Sequence, residues 1–217
     1  MPERTIEDRL REEYFDLLPE IRGVAAQLEA ELRFRTLPVL HSLRPYEQLI
    51  FKSRIKESES ALGSLQRRQE GRVFDPQQIY SVTQLPDLAA VRVLVFSGEK
   101  LIEVDNILRE SDAFRDWVSD PILYSQSSLS VSKYCGYCRD VSVRVRGEYQ
   151  VVPLLIANFW DVEHAAMYKP TGWAKGIEHD PVMKELRAAV ESSLASFEQG
   201  FEKFVRSNSA PSSTPSN

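Results

Sequence analysis

The chain has 217 residues, of which 42% are hydrophobic and 27% are charged, and its net charge is −5 at pH 7. This length allows one sizeable hydrophobic core, so one domain is favoured over two. The negative charge argues against broad, charge-driven binding to nucleic acid, but it is compatible with a small local pocket for an anion.

The sequence gives no sign of a membrane segment or a targeting peptide. Its longest apolar runs, LAAVRVLVF and VVPLLIANFW, are far too short to cross a membrane. The N-terminal stretch MPERTIEDRLREEYF is charged throughout, unlike a signal or transit peptide. We therefore expect a cytoplasmic protein that does not contact membranes.

Residues 1–45 are predicted to form an N-terminal helical region. Apolar side chains recur at helical spacing from Ile6 to Leu32. Pro19 is predicted to break or kink this helix, which gives either a helical hairpin or a bent helix. The connector LPVLHSLRP, with a proline near each end, follows.

Residues 46–206 are predicted to form the main domain. It begins with a strand near 46–54 and a helix near 58–69, for which Ser58 is a candidate N-cap. The run AAVRVLVFS is typical of a buried strand, and EKLIEVDNILRES is typical of an amphipathic helix.

The second half of the domain is predicted to contain a hairpin and two helices. After a loop-rich region at 111–132, CRDVSVRVRG and YQVVPLLIA are predicted to pair through a turn at Gly147, with Pro153 confining the second strand to an edge or a bulge. Helices are predicted in ANFWDVEHAAMYK and DPVMKELRAAVESSLASFEQGFEKFVRS, and a disordered tail at 207–217. This order of elements predicts an α/β (α+β) fold, in which helices pack on a mixed sheet of about five strands.

The stretch FKSRIKESES carries a row of cations. Side chains alternate along a strand, so Lys52, Arg54 and Lys56 are predicted to share one face. Cations held at fixed separations suit a triphosphate. A solvated edge strand that is kept charged against aggregation explains the same spacing equally well.

Carboxylates and one unusual arginine follow. Arg92 lies inside an apolar run and needs a partner or a ligand. Either it pairs with Asp87 at the sheet margin, or Asp87 binds a divalent metal beside an arginine that holds a nucleotide. Glu148 and Gln150 alternate on one strand face. They either complete a magnesium site with Asp87 or form the polar side of an edge hairpin.

The cysteines and histidines give weaker signals. Cys135 and Cys138 form a C-x-x-C pair, which lacks the second ligand pair of a structural zinc site, and no histidine has zinc-finger spacing. Two reduced thiols are favoured over a redox pair. His164 lies on a predicted helix, where a structural role is favoured over a catalytic one.

Four segments, in order, resemble the synthetase domain of the RelA/SpoT family, in particular the small stand-alone alarmone synthetases. SRIKESESALGSLQRR resembles the family's R-x-K-x-x-x-S segment, and LPDLAAVRVLVF resembles its D-[LI]-x-G-[IV]-R strand. CGYCRDVSVRV resembles N-G-Y-R-S-x-H, and GEYQVVPLLIANFWDVEHAAMYK resembles E-[IV]-Q-I-R-T followed by E-H-x-x-x-Y-K. The resemblance covers roughly residues 46 to 170.

The resemblance implies a nucleotidyltransferase-like synthetase fold and an ATP-dependent pyrophosphokinase. Such an enzyme moves the β,γ-diphosphate of ATP to the 3′-hydroxyl of a purine nucleotide, giving (p)ppGpp from GTP or GDP, or (p)ppApp from ATP or ADP. On the ATP side, it implies that Arg54 and Arg92 sandwich the adenine, and that Lys56, helped by Arg67, holds the phosphates.

The resemblance also implies the catalytic and acceptor residues. Asp87 and Glu148 would bind Mg²⁺, and Glu148 would draw the proton from the attacking hydroxyl. Tyr137 would stack on the acceptor base. Gln150 and His164 would complete the acceptor site.

Departures from the family pattern lie on the acceptor side. The family's Asn is Cys135, its Arg, Ser and His are Cys138, Arg139 and Val141, and its Arg-Thr is Val152-Pro153. Two alternatives therefore stay open: a toxin that pyrophosphorylates the 3′ end of tRNA, and a non-catalytic nucleotide-binding relative. A toxin would have an antitoxin protein as partner, and a homo-oligomer is a further expected assembly. The 45 residues before the resemblance are too few for the family's hydrolase segment.

Overall fold

The structure is a computed structural model that describes residues 4–119, 131–165 and 180–209. Three predictions fall at least partly outside the described residues. They are the serine-rich loop within 120–130, the Tyr-Lys end of the E-H-x-x-x-Y-K motif, and the tail from residue 210.

Six α-helices, two short 3₁₀ helices (Glu70–Arg72 and Val82–Gln84) and a five-stranded sheet make up the described parts of the chain. The helices are α1 (Ile6–Arg35), α2 (Leu37–His41), α3 (Ser58–Arg67), α4 (Gly98–Glu110), α5 (Leu154–Glu163) and α6 (Pro181–Ser209). The strands are β1 (Gln48–Ile55), β2 (Ala89–Phe96), β3 (Val118–Ser119), β4 (Ser132–Tyr137) and β5 (Arg146–Pro153). Their order in the sheet is β1-β2-β5-β4-β3, with β2 and β5 parallel and the other pairs antiparallel. The predicted mixed α/β fold is confirmed.

Helix α1 runs unbroken for 30 residues, so the predicted helical hairpin is wrong. Pro19 lies on its exposed side, and so does Phe15, whose carbonyl loses its usual helical donor. Because Phe15 is on the exposed side of the helix, water can reach that carbonyl and the helix continues. The opposite, buried side of α1 packs against β1, β2 and β5.

The two faces of the sheet differ in character. One face is apolar, with Val91, Val93, Tyr149 and Val151 buried in the cluster that also contains residues of α1 and α4. Alternation along the strands turns the intervening residues to the opposite face. Helix α5 covers one end of that second face, where Leu154 and Ala157 pack with Leu94 and Val152. The rest of the second face carries the charged side chains.

The predicted turn at Gly147 is wrong. Strand β4 ends at Tyr137, residues 138–145 form the connection, and Gly147 lies inside β5. A side chain at Gly147 would press on Trp117, at 3.2 Å, and Leu28, at 3.3 Å. This glycine therefore permits close packing against the sheet.

Three other boundaries differ from prediction. Pro153 does not mark an edge strand, because β5 lies between β2 and β4; the proline instead ends β5 and precedes α5, where a missing donor costs little. Glu57 rather than Ser58 is the N-cap of α3. Helix α6 continues to Ser209, so residues 207–209 of the predicted tail are helical.

Within the described ranges, no helix is both long enough and apolar enough to cross a membrane.

A charged sheet face as candidate active site

The strand register brings the predicted site residues onto the second sheet face. Residues directly opposite each other on paired strands share a face. One row across the sheet contains Lys52, Arg92, Gln150 and Lys133, and the next contains Arg54, Ala90, Glu148 and Cys135. Lys56 follows one pleat beyond Arg54, and its backbone N–H donates to Leu88 at 2.9 Å. The predicted alternation of Lys52, Arg54 and Lys56 is confirmed.

Asp87 is the carboxylate nearest to two of these cations. Lys56 Nζ lies 2.5 Å from Asp87 Oδ2, and Arg54 Nη2 lies 3.9 Å from the same oxygen. Burial acts to raise the pKa of Asp87, but the hydrogen bond and charge of Lys56, with the charge of Arg54, outweigh it and hold the pKa below its ordinary value. Asp87 is therefore ionised at neutral pH.

Arg92 pairs with Asp161 of α5 and not with Asp87, so the predicted pairing at the sheet margin is wrong. Arg92 Nη1 donates to Asp161 Oδ1 at 2.9 Å, and Lys52 Nζ lies 2.6 Å from Asp161 Oδ2. Burial and the nearby charge of Arg54 lower the pKa of Arg92. Its Nε is buried and has no acceptor among the described residues, which leaves a donor available to a ligand.

Glu148 is only 1% exposed and is held by Lys133 and Gln150, with a longer contact of 3.9 Å from the Cys135 thiol. Lys133 Nζ lies 2.7 Å from Glu148 Oε2, and Gln150 Nε2 donates to Oε1 at 2.6 Å. Burial acts to lower the pKa of Lys133, but the hydrogen bond and charge of Glu148, with a contribution from Asp87, raise it above its ordinary value. Lys133 therefore stays charged beside the buried carboxylate.

Asp87 and Glu148 are a donor set that fits Mg²⁺. The charges of both carboxylates act to raise the pKa of Lys133 and of Cys135, so both lie near these two side chains. No cluster of three or more His, Cys, Asp or Glu residues suited to a metal occurs in the described residues. Mg²⁺ commonly binds one or two carboxylates and takes its remaining ligands from substrate phosphates and water, so two carboxylates suffice.

A cavity of about 520 Å³ lies between β1, β2 and α5. Its lining includes Lys52, Arg54, Arg92, Trp160 and His164. His164, which the resemblance assigns to the acceptor site, is thus placed beside the residues assigned to ATP.

Arg67, at the exposed end of α3, makes no hydrogen bond or ion pair with these residues in the described part of the chain. It donates to Ser64 of its own helix at 2.9 Å. The ion pairs around Asp87 form without it.

A second cavity, of about 850 Å³, contains Tyr137 and is called the Tyr137 cavity below. Its lining includes Trp117, Lys133, Cys135, Cys138, Arg139 and Arg146. The Tyr137 side chain is 43% exposed, so its ring is available for stacking. Cys135 and Cys138 are free thiols, and burial raises the pKa of each to about 11.

Two residues of the site, Lys133 and Asp161, are not identified in the sequence analysis. Lys133 follows the predicted loop at 111–132 and precedes the strand predicted from Cys138, so no element is predicted for it, although the alternation of Lys133, Cys135 and Tyr137 is a usable signal. Asp161 had no signal of its own, because only the packing of α5 decides which side of that helix meets the sheet.

Comparison with solved structures identifies the architecture. The small alarmone synthetase 1 from Bacillus subtilis, bound to its product pppGpp, matches with a TM-score of 0.64 and 18% identity over 92% of this chain and 99% of that one. The same protein bound to AMPCPP matches with a TM-score of 0.59 and 18% identity over 91% of this chain and 97% of that one.

A GTP pyrophosphokinase family protein from Streptococcus pneumoniae also matches, with a TM-score of 0.59 and 20% identity over 94% of this chain and 95% of that one. A scan of protein-family models and a search of curated proteins find no match. The chain therefore has the fold of the small alarmone synthetases, which confirms the fold that the sequence resemblance implied.

Proposed function

We propose that this protein is a nucleotide pyrophosphokinase that transfers the β,γ-diphosphate of ATP to the 3′-hydroxyl of a purine nucleotide. The observation that carries the proposal is the charged sheet face. It gathers Arg54, Lys56 and Arg92 with the carboxylates of Asp87 and Glu148. It does so in a fold shared with a synthetase whose structures contain pppGpp and AMPCPP.

The β1–β2–α5 cavity suits the ATP donor. Arg54 and Arg92 both line it, and planar guanidinium groups stack well on flat bases. Lys56, one pleat beyond Arg54, supplies positive charge for the phosphates.

Transfer of a diphosphate needs positioning and charge neutralisation rather than a covalent nucleophile. Asp87 and Glu148 would hold Mg²⁺, which supplies positive charge to the transferring phosphates. In the reaction, the acceptor 3′-oxygen forms a bond to the β-phosphorus, the bond from that phosphorus to the oxygen bridging it to the α-phosphate breaks, and AMP leaves.

Glu148 would accept the proton of the attacking hydroxyl. Lys133 and Gln150 hold its two carboxylate oxygens, so they would orient it for this step. The exposed ring of Tyr137 would stack on the acceptor base, which is that of GTP or GDP, or of ATP or ADP.

The test is transfer of label from γ-labelled ATP, with Mg²⁺, to GDP, GTP, ADP, ATP or deacylated tRNA, each offered separately. We expect label on a purine nucleotide and a loss of at least 100-fold in Glu148→Gln, because a general base contributes about 10²- to 10⁴-fold. Glu110→Gln, at an exposed position of α4, is the matched control and should keep full activity.

Glu148→Gln leaves Lys133 without its carboxylate, so thermal melting must show that the variant is folded. The double variant Glu148→Gln/Lys133→Gln restores the charge balance and should be equally inactive. Transfer of label to tRNA alone would show that the acceptor is the 3′ end of tRNA and not a free nucleotide. ATP binding without transfer to any acceptor, or full activity in Glu148→Gln, would contradict the proposal.

A further inference from the structure

The cations that line the Tyr137 cavity are not equivalent. Three of the four have carboxylate partners: Arg35 with Glu31 at 2.7 Å, Lys133 with Glu148 at 2.7 Å and Arg139 with Asp116 at 4.0 Å. Arg146 is the exception, since it forms no ion pair within the described residues.

Arg146 is also incompletely hydrogen-bonded. Its Nη2 donates to the backbone carbonyl of Gln84 at 3.1 Å, and its Nε is buried without an acceptor among the described residues. A buried donor that finds no acceptor costs free energy. A bound anion would supply the missing acceptor, and the planar guanidinium matches the geometry of a phosphate.

The register places Arg146 beside the two residues proposed to handle the acceptor. It is paired directly with Tyr137 across β4 and β5, and Cα atoms of such pairs lie about 4.5–5.5 Å apart. It also precedes Glu148 by two residues on the same face of β5, a step of about 7 Å along the strand.

We propose that Arg146 binds the 5′-phosphate of the acceptor nucleoside and so selects a phosphorylated acceptor over a bare nucleoside. This inference rests on the proposed function. With the base on Tyr137 and the 3′-hydroxyl at Glu148, the 5′-phosphate lies one ribose away from the reacting oxygen, and Arg146 is the neighbouring cation without a carboxylate partner.

The sequence departures support this assignment. Where the family pattern has an arginine after Gly-Tyr, this chain has Cys138, whose side chain packs against the apolar clusters of the core. Arg146 supplies a cation from a different strand. Both candidate acceptors carry a phosphate on the 5′-oxygen of the reacting nucleoside. In a free nucleotide it is a terminal phosphate, and in the 3′-terminal nucleoside of tRNA it is a phosphodiester.

The test is equilibrium binding in the presence of Mg²⁺ and saturating AMPCPP, which keeps the ATP site occupied. The probe pairs are guanosine with GMP, adenosine with AMP, and adenosine with the trinucleotide CCA. We expect the wild-type protein to bind the phosphorylated member of at least one pair more tightly. Arg146→Gln should reduce that preference by about 10- to 100-fold, the equivalent of one charge-assisted hydrogen bond.

Arg144→Gln is the matched control, because Arg144 lies two residues earlier and pairs with Glu20 outside the Tyr137 cavity. It should keep the wild-type preference. Arg146→Lys keeps the charge but loses the two parallel N–H donors of the guanidinium, so it should show an intermediate preference. It replaces Arg146→Gln in the test if that variant does not fold. A wild-type protein without preference, or the same preference in Arg146→Gln, would overturn the inference.

Failure of the proposed function is distinguishable from failure of this inference, because binding requires no turnover. If the preference collapses in Arg146→Gln although the wild-type protein transfers no diphosphate, the phosphate site stands and the pyrophosphokinase proposal fails. If diphosphate is transferred and the preference is unchanged in Arg146→Gln, the inference alone fails.

Discussion

At the scale of single residues, two carboxylates pair with the four cations that β1 and β2 bring to the candidate site, while Lys133 pairs with Glu148. Asp87 forms ion pairs with Lys56 and the more distant Arg54, whereas Asp161 forms ion pairs with Arg92 and Lys52. Asp87 could be identified from its position before an apolar strand. Asp161 could not, because its role depends on how α5 docks on the sheet.

Under the proposed function, Asp161 is expected to weaken the binding of ATP, because it pairs with Lys52 and Arg92, two cations that line the β1–β2–α5 cavity. Its side chain is 41% exposed, so each ion pair contributes little. Asp161→Asn should therefore bind ATP about two- to fivefold more tightly by calorimetry, with a larger effect at low salt.

Asp112→Asn, which removes an exposed partner of Arg115, is the control and should bind ATP as the wild-type protein does. Weaker ATP binding by Asp161→Asn would show that Asp161 contacts the nucleotide directly.

At the scale of elements, the buried strand β2 and the helix α4 were predictable from hydrophobic pattern, whereas the β4–β5 hairpin was not. The segment CRDVSVRVRG alternates like a strand, yet Val141 and Val143 are exposed in the connection. The observed register instead pairs Gly136 with Gly147. A side chain at Gly136 would overlap the ring of Trp117, which also lies against Gly147. Periodicity carries no information about that three-residue contact.

Helix α6 contains a buried carboxyl that should make stability depend on pH. Glu198 is 2% exposed, and neither of its side-chain oxygens accepts a hydrogen bond from the described residues. Burial, with the charge of Glu202, raises its pKa from 4.5 to about 7. Because the folded state holds the proton more tightly, stability should fall as the pH rises from about 4.5 to about 7.

Glu198→Gln removes this titration. We expect its melting temperature to be close to that of the wild-type protein at pH 5 and higher at pH 8, where the difference in free energy of unfolding approaches about 3 kcal/mol. Glu185→Gln, at an exposed position of the same helix, should follow the wild-type protein at both pH values. Parallel curves for Glu198→Gln and the wild-type protein would contradict the assignment.

At the scale of the whole molecule, the site combines residues from four strands and the helix that follows β5. The sequence resemblance identified Arg54, Lys56, Asp87, Arg92 and Glu148, and the sheet brings all five to one face or its margin. Lys133 and Asp161 join them only through tertiary packing. The same packing places His164 in the β1–β2–α5 cavity, whereas Arg67 bonds to Ser64 of its own helix.

The most direct test of the proposed reaction is the identity of the adenine nucleotide released from α-labelled ATP in the presence of Mg²⁺ and each acceptor. Transfer of the β,γ-diphosphate predicts AMP, formed only when an acceptor is present, in amounts equal to the modified acceptor. Chelation of Mg²⁺ should abolish its formation. Release of ADP, or of AMP at the same rate without any acceptor, would contradict the pyrophosphokinase account.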